Sequence, residues 1–296
     1  MAAAGPGRTP TRVFVVGCPR SGTTLVQAVL AAHPSVFSFP ESHYFKKIRG
    51  RLWRGEPTVL VSPRAAAASL DRLVADLDAG PRPSVPRWWP FAGRYGGAFA
   101  AVVDGASLAA GKAVWVEKSP VHLHYISDIV AAMLDARFIH VVRDGKDVVA
   151  SIYELCKAEP DRWVGQFLDR RDPPDKDLFD AIFSRWNEDV AITSRHLESP
   201  LHHLVRYDRL VDDPRKELEG LAHFTGLDFD ESMLEHGRSA QDVLGWRSEL
   251  DHMQRVLEPL SPAESKFARV LSATQQREAS SALAGSGSLN AVFPGS

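Results

Sequence analysis

The chain has 296 residues, of which 44% are hydrophobic and 24% are charged, and its formal net charge is −2. This composition is typical of a globular protein with an ordinary core. The small net charge gives no general reason to expect nucleic acid or an anionic membrane as a partner. The two cysteines, Cys18 and Cys156, indicate no disulfide framework.

The sequence also lacks the patterns that direct a chain to a membrane. No run of about twenty consecutive apolar residues is present. Residues 1–10 have no apolar stretch of the kind found in a signal peptide. We therefore expect a cytoplasmic protein without a membrane partner.

The first predicted element is a strand, followed by a glycine-rich turn and a helix. Residues 13–16 read Val-Phe-Val-Val, a continuous apolar run typical of a strand buried on both faces. Gly17 and Gly22 bracket the turn, and apolar residues at helical spacing then predict a helix over 22–32. A turn that delivers backbone N–H groups to a helix N-terminus is suited to phosphate or sulfate.

The spacing of Gly17 and Gly22 is that of a nucleotide P-loop, but the residue after the second glycine differs. A P-loop NTPase has Lys there, followed by Ser or Thr, to hold the terminal phosphates and Mg²⁺. This chain has Thr23 in place of that Lys, and its cation lies inside the loop as Arg20. Because a guanidinium can bind planar pairs of oxygens directly, the loop predicts an anion site without a Lys–Mg²⁺ pair.

Residues 19–25, Pro-Arg-Ser-Gly-Thr-Thr-Leu, resemble the 5′-phosphosulfate loop of sulfotransferases that use 3′-phosphoadenosine 5′-phosphosulfate (PAPS). The loop is more similar to the Arg-containing loops of tyrosylprotein-type and many bacterial sulfotransferases than to those of the cytosolic steroid or phenol enzymes. The resemblance implies PAPS as co-substrate, adenosine 3′,5′-bisphosphate (PAP) as product and no metal. The implied donor-binding residues in this loop are Arg20, Ser21, Gly22, Thr23 and Thr24.

A second short strand is predicted over 36–39, and Glu41 follows it after Pro40. In open α/β sheets, the strand ends beside the nucleotide turn line the ligand crevice, so this carboxylate is a candidate general base. A solvated surface Glu is the alternative. Sulfotransferases with an Arg loop carry a Glu at this separation, and the resemblance implies that Glu41 deprotonates the acceptor hydroxyl.

Residues 43–111 carry weaker signals, with predicted helices over 65–77 and 95–110. We expect this region to cover the site and select the acceptor. Between the helices lies a proline-rich stretch that contains Trp88 and Trp89. These rings either stack on an aromatic or sugar acceptor or pack in the core.

A third strand is predicted over 113–116, and Lys118 follows it at the crevice. Ser119 can cap, and Pro120 can open, a helix predicted over 121–134. The resemblance implies that Lys118 contacts the transferring sulfonate, and a surface lysine is the alternative.

A second motif follows the predicted strand over 138–142. Arg143 lies at the end of this strand, and Ser151 lies about two turns into the next helix. The pair resembles the 3′-phosphate-binding motif of sulfotransferases. The alternative is an Arg–Asp pair beside an unrelated helix serine. The glycine-rich loop disfavours this alternative, because two anion sites in one chain match one doubly phosphorylated nucleotide.

The last predicted core elements are a helix over 179–197, a strand over 201–207 and a helix over 215–225. Tyr207 resembles the tyrosine that lies near the adenine in sulfotransferases. A tyrosine packed in the core is the alternative interpretation.

These elements predict an α/β fold, a P-loop NTPase-like three-layer sandwich with a central, mostly parallel sheet of about five strands flanked by helices. We expect one sulfotransferase domain over 1–285 and a flexible tail over 286–296. Within that domain the nucleotide core would occupy about 12–40 and 113–227.

The predicted activity is sulfonate transfer from PAPS to an acceptor hydroxyl, with Glu41 as general base and Arg20 and Lys118 stabilising the developing charge. A small molecule, carbohydrate or metabolite is the favoured acceptor, while a protein tyrosine or a lipid stays open. Two alternative functions stay open: the protein is a P-loop kinase of a small molecule, or it is a non-catalytic nucleotide-binding protein. The oligomeric state cannot be inferred from the sequence.

Overall fold

The computed structural model describes residues 9–51, 57–85, 88–169, 172–237, 239, 256–261 and 264–284. The strands are β1 (Thr11–Gly17), β2 (Val36–Ser38), β3 (Arg49–Arg51), β4 (Pro57–Val61), β5 (Val114–Lys118), β6 (Arg137–Val142) and β7 (His202–Arg206). Five of them form a sheet in the order β2-β5-β1-β6-β7, in which every neighbouring pair is parallel. The predicted tail, 286–296, lies outside the described residues.

The helices surround this sheet. They are α1 (Thr23–Ala31), α2 (Tyr44–Ile48), α3 (Pro63–Asp76), α4 (Ala92–Ala109), α5 (Ile126–Ala132), α6 (Gly145–Ala158), α7 (Pro160–Trp163), α8 (Asp175–Ser194), α9 (Tyr207–Asp212), α10 (Pro214–Thr225), α11 (Phe267–Val270) and α12 (Ala273–Ala284). Three 3₁₀ segments cover Pro120–Tyr125, Val164–Gln166 and Glu231–Glu235.

Strand β1 lies at the centre of the sheet because its side chains are apolar on both faces. Phe14 and Val16 belong to a buried cluster with side chains of α2 to α5, whereas Val13 and Val15 belong to a cluster with α1 and α10. Successive side chains of a strand point to opposite faces, so this alternation places one helical layer on each side. The three-layer α/β architecture and the parallel sheet are confirmed.

The helix predicted over 121–134 is corrected in two respects. It begins as the 3₁₀ segment Pro120–Tyr125 and becomes α-helical only in α5. Ser119 does not cap it, since no hydrogen bond from the helix reaches its side chain. Its hydroxyl instead donates to Glu117 at 2.6 Å and accepts from the backbone N–H of His43 at 2.9 Å. The bond that it donates to the buried carboxylate orients the hydroxyl, and its oxygen then accepts from His43 rather than from an N–H of the helix.

Region 43–111 contains structure that the sequence did not indicate. Helix α2 buries Tyr44 and Phe45 against the face of β1 that carries Phe14, with ring centroids of Phe14 and Phe45 6.3 Å apart. Strands β3 and β4 form an antiparallel pair. The region is therefore part of the core on one side of the sheet.

Three histidines stack where β6 and β7 meet the end of α8. Nε2 of buried His140 lies 2.8 Å from Nδ1 of His202, and the rings of His196 and His202 are stacked with centroids 4.7 Å apart. Burial, together with the charges of the other two rings, lowers the pKa of His140 well below its usual range. Burial and the charge of His196 lower the pKa of His202 to about 4.

The lowered pKa values of these stacked histidines predict that the folded protein loses stability in acid. Below about pH 6.5 the unfolded chain binds protons at these histidines while the folded chain does not, so stability falls as the pH drops towards 4. Each such histidine contributes a slope of up to about 1.4 kcal/mol per pH unit. We expect His202→Asn, which retains a hydrogen-bonding partner for His140, to reduce this slope in urea unfolding measured from pH 7 to pH 4.5.

The control for this experiment is His223→Asn, because His223 is an exposed histidine outside the stack. It should leave the wild-type slope unchanged. Equal slopes for wild type and His202→Asn would show that the stack does not control acid stability.

Candidate active site

The carboxyl ends of the five parallel strands meet at one edge of the sheet, where the loop after β1 lies. Gly17 adopts φ +148°, and a Cβ built there would lie 2.4 Å from the carbonyl oxygen of Val141 in β6. Only glycine therefore fits the start of the loop at this distance from the neighbouring strand. The close packing directs residues 18–22 over the sheet edge and into α1.

The loop ends at a helix N-terminus suited to an anion. Gly22, the residue before α1, provides no side-chain cap, and the first turn of α1 contains no acidic residue. Ser21 is 1% exposed, and its hydroxyl has no hydrogen-bonding partner among the described residues. Buried hydroxyls are normally paired, so this site fits a ligand oxygen beside the N–H groups of the helix.

One group of functional side chains joins the ends of β1, β2 and β5. The ammonium of Lys118 donates to the carboxylate of Glu41 and, at 3.1 Å, to the hydroxyl of Thr24. Lys118 is 2% exposed, and the carboxylate of Glu41 provides the opposite charge beside it. Glu41 is 30% exposed on its side chain, which leaves the carboxylate accessible from solvent.

His43 holds the other oxygen of the Glu41 carboxylate, with Nε2 3.0 Å from Oε2. Its backbone has φ +49°, in the left-handed region that residues other than glycine seldom adopt. Burial lowers the pKa of His43, although the charges of Glu41 and Glu117 oppose the change. The ring is therefore neutral near pH 7 and can donate from Nε2 to Glu41.

A buried carboxylate, that of Glu117, holds the backbone next to the Glu41–Lys118 group. Glu117 is fully buried and accepts hydrogen bonds from the hydroxyls of Ser42 at 2.7 Å and Ser119 at 2.6 Å, while Nδ1 of His122 lies 2.9 Å away. Burial alone would raise the pKa of Glu117, but the interaction with His122 and the hydroxyl bonds outweigh it and lower that pKa. The ionised carboxylate fixes residues 42–43 against the end of β5.

Sequence reasoning missed Glu117, Ser42 and His43. The available signal was an acidic residue that continues the apolar run Val114-Trp115-Val116, where burial on both faces is expected. A carboxylate in such a strand requires partners, and the serines and histidines nearby were candidates.

A second group of side chains lies at the ends of β6 and β7. Nε of Arg20 lies 3.4 Å from the hydroxyl of Ser151, and the guanidinium of Arg143 pairs with Asp147 at 3.0 Å. The Arg143 guanidinium also lies over the ring of Tyr207, 4.5 Å from its centroid. The predicted 3′-phosphate residues and Tyr207 are therefore neighbours.

Arg20 carries the strongest electrostatic constraint in this second group. Burial and the charge of Arg143 lower the pKa of Arg20, and Glu154 offsets part of this change. Two guanidinium groups that repel each other in a partly buried site favour an anion between them. The structure thus places Arg20 beside Ser151 and Arg143, and places Thr24, four residues later, beside Lys118.

The two tryptophans of the proline-rich stretch differ in their surroundings. Trp89 packs against the core on the α2–α5 face, and the guanidinium of Arg94 lies 4.4 Å from its ring centroid. Trp88 is 79% exposed. Trp89 therefore has the packing role, and a contact between Trp88 and the acceptor stays a prediction.

Within the described ranges, no three His, Cys, Asp or Glu side chains converge as ligands for a metal ion. None of the helices in those ranges has the length and hydropathy that a membrane span requires.

A model of the family described as "Sulfotransferase family" matches residues 10–231. Protein-tyrosine sulfotransferase A of Caenorhabditis elegans is 22% identical over 85% of the chain, and an uncharacterized protein of Aquifex aeolicus is 23% identical over 80%. The chain spans 58% of the nematode protein and 28% of the Aquifex protein.

Solved structures share the fold. The sulfotransferase domain of an olefin synthase from Synechococcus PCC 7002 superposes with a TM-score of 0.56 at 20% identity, covering 96% of this chain and 98% of that domain. The sulfotransferase domain of the curacin biosynthetic pathway gives 0.52 at 17% identity, covering 94% and 99%. A mouse sulfotransferase complexed with PAP gives 0.50 at 13% identity, covering 97% and 84%.

The family match spans the loop after β1, Glu41, Lys118, the Arg143–Ser151 motif and Tyr207. It confirms the resemblance first seen in the Pro-Arg-Ser-Gly-Thr-Thr-Leu loop, and the chain belongs to the sulfotransferase family.

Proposed function

We propose that this protein transfers a sulfonate group from PAPS to an acceptor hydroxyl and releases PAP. One observation carries the proposal: residues 20–24 connect two chemically different groups at the same sheet edge. Arg20 contacts Ser151 of the cationic group, and Thr24 contacts Lys118 of the group that holds Glu41. This arrangement matches a donor that carries one phosphate at the 3′ position of its ribose and a phosphosulfate at the 5′ position.

Donor binding is assigned to the cationic group and the loop. Arg143 and Ser151 would hold the 3′-phosphate, since charge-assisted hydrogen bonds to phosphate are the strongest that guanidinium groups make. The N–H groups at the start of α1 and the unpaired hydroxyl of Ser21 would hold the 5′-phosphosulfate. Tyr207, already stacked with Arg143, would lie beside the adenine.

The chemical step is assigned to the other group. The acceptor oxygen attacks sulfur, the bond from sulfur to the 5′-phosphate oxygen breaks, and that oxygen keeps the electron pair. Glu41 takes the hydroxyl proton, while Lys118 and Arg20 stabilise the charge that grows on the transferring sulfonate and the leaving phosphate. His43 and Lys118 each hold one oxygen of Glu41, which orients the carboxylate.

The acceptor is proposed only by class. We favour a small molecule, a carbohydrate or a metabolite over a protein tyrosine or a lipid. The half-buried carboxylate of Glu41 admits a hydroxyl from solvent, and the exposed ring of Trp88 could contact an aromatic or sugar acceptor.

The kinase alternative is weakened by Thr23. This residue occupies the position of the P-loop lysine, is 3% exposed and cannot supply the positive charge that terminal phosphates need. The non-catalytic alternative is weakened by the buried Lys118–Glu41 contact, because a nucleotide-binding scaffold does not need a carboxylate paired with a lysine at this edge.

We expect calorimetric titration to show micromolar binding of PAP and much weaker binding of Mg²⁺–ATP. Arg143→Ala should weaken PAP binding about tenfold to hundredfold, the loss expected for a charge-assisted contact to phosphate. Arg215→Ala removes an arginine from an exposed ion pair with Glu231 and is the matched control. A preference for Mg²⁺–ATP would favour the kinase, and absence of PAP binding would remove the proposed function.

Replacement of Glu41 by Gln should abolish proton transfer while preserving the shape of the side chain. With PAPS and the best acceptor from a panel of phenols, sugars and sterols, PAP formation should fall about a hundredfold to ten-thousandfold. PAP affinity should stay within about twofold of wild type, because Glu41 lies in the other group. Full activity in Glu41→Gln would exclude this residue as the base.

A further inference from the structure

The described part of the carboxyl-terminal region includes a short segment, residues 264–270, that lies on α6. We call it the strap. The ammonium of Lys266 lies 2.6 Å from one oxygen of Glu154, and the guanidinium of Arg269 lies 2.9 Å from the other. The strap therefore places two cations on one carboxylate of the helix that carries Ser151.

Glu154 belongs to the surroundings of the donor site. It follows Ser151 by three residues on α6, so the two side chains share one face of the helix. Its charge also acts on Arg20, since it opposes the lowering of the Arg20 pKa by burial and by Arg143. An uncompensated carboxylate here would attract Arg20 and repel a phosphate bound at Ser151.

The strap contacts the other acidic side chain near the donor site as well. The hydroxyl of Ser265 donates to Asp147 at 2.5 Å, and Asp147 pairs through its other oxygen with Arg143. Asp147 is thus shared between Arg143 of the proposed donor site and Ser265 of the strap, whereas Glu154 is held by the strap and acts on Arg20 through its charge.

Glu154 stays ionised in this arrangement. Burial would raise the pKa of Glu154, but the hydrogen bonds from Lys266 and Arg269 outweigh burial and lower it. Its negative charge therefore persists at neutral pH, and the two cations of the strap reduce the field that it exerts on the donor site.

We propose that the strap sets donor affinity by screening Glu154, with Lys266 and Arg269 acting as positioning residues for Arg20 and the 3′-phosphate. The inference rests on the proposed function, because the ligand concerned is the donor nucleotide. The two cations act through Glu154 and do not touch the nucleotide, which separates this role from that of Arg143.

The test is a mutational cycle read by calorimetric titration with PAP, which requires no knowledge of the acceptor. Lys266→Gln with Arg269→Gln removes both charges but keeps amides that can hydrogen-bond Glu154. This variant should bind PAP about threefold to tenfold more weakly, the size expected for two charges that act near solvent. Glu154→Gln alone should bind PAP at least as tightly as wild type.

The decisive variant combines all three substitutions. If the cations act through Glu154, its neutralisation should restore binding to within about twofold of the Glu154→Gln value. The loss in the double variant should also shrink between 50 mM and 500 mM salt, because surface charges are then screened.

Arg215→Ala with Lys216→Ala is the matched control, since it removes two cations from α10 and should change PAP affinity little. Thermal unfolding checks that each variant is folded. Wild-type affinity in the Lys266/Arg269 variant would overturn the inference. A triple variant as weak as the double variant would also overturn it, because the cations would then act independently of Glu154. Both results leave the proposed function intact, whereas absence of PAP binding by wild type removes that function and this inference together.

Discussion

The buried charge of Glu117 is the constraint on which the position of the Glu41–Lys118 group, the proposed catalytic side of the site, depends. Removing a carboxylate from water costs several kcal/mol, and the cost is offset only when its oxygens are paired in good geometry. Here the partners are Ser42, from the loop after β2, and Ser119 and His122, from the stretch that follows β5. Satisfying one ion therefore fixes the loop that carries Glu41 and His43 relative to the strand that carries Lys118.

The proposed donor side depends on the opposite situation, an excess of positive charge. The charge of Arg143 lowers the pKa of Arg20, and Glu154 offsets only part of this change. Such a site gains more from binding an anion than a neutral site would, because the anion also relieves the repulsion. The two halves of the site thus differ in their charge balance: internal pairing fixes the first, and the second carries positive charge that would favour the proposed anionic donor.

The sequence predicted what is local. The apolar run of β1, the glycines after it and the helical spacing from Leu25 lie within one stretch, and the structure reproduces their order. Residues at the ends of parallel strands could also be assigned to one edge, since that follows from the fold class. The hydrogen bonds of Ser119 could not be predicted, because a hydroxyl that precedes a helix can cap that helix or bond to other groups. The partners of this hydroxyl are Glu117 and the backbone N–H of His43, and only folding brings residue 43 next to Ser119. The contacts between the strap and Glu154 span more than a hundred residues and leave no local pattern.

The loop after β1 connects the two halves because its backbone is held in an uncommon conformation. Arg20 has φ +71° and Gly22 has φ +100°. A left-handed conformation costs a residue other than glycine roughly 1 kcal/mol, so the rest of the loop must enforce it at Arg20. Tyr207 contributes to this, because a Cβ at Gly22 would lie 2.6 Å from its ring, and that ring is itself packed beneath Arg143. The residues proposed to bind the donor therefore brace the turn that places Thr24 beside Lys118. Charge stabilisation in catalysis depends on groups that need not move when charge develops, and in the proposed mechanism the contacts among Tyr207, Arg143 and the loop supply that rigidity beside Lys118 and Glu41.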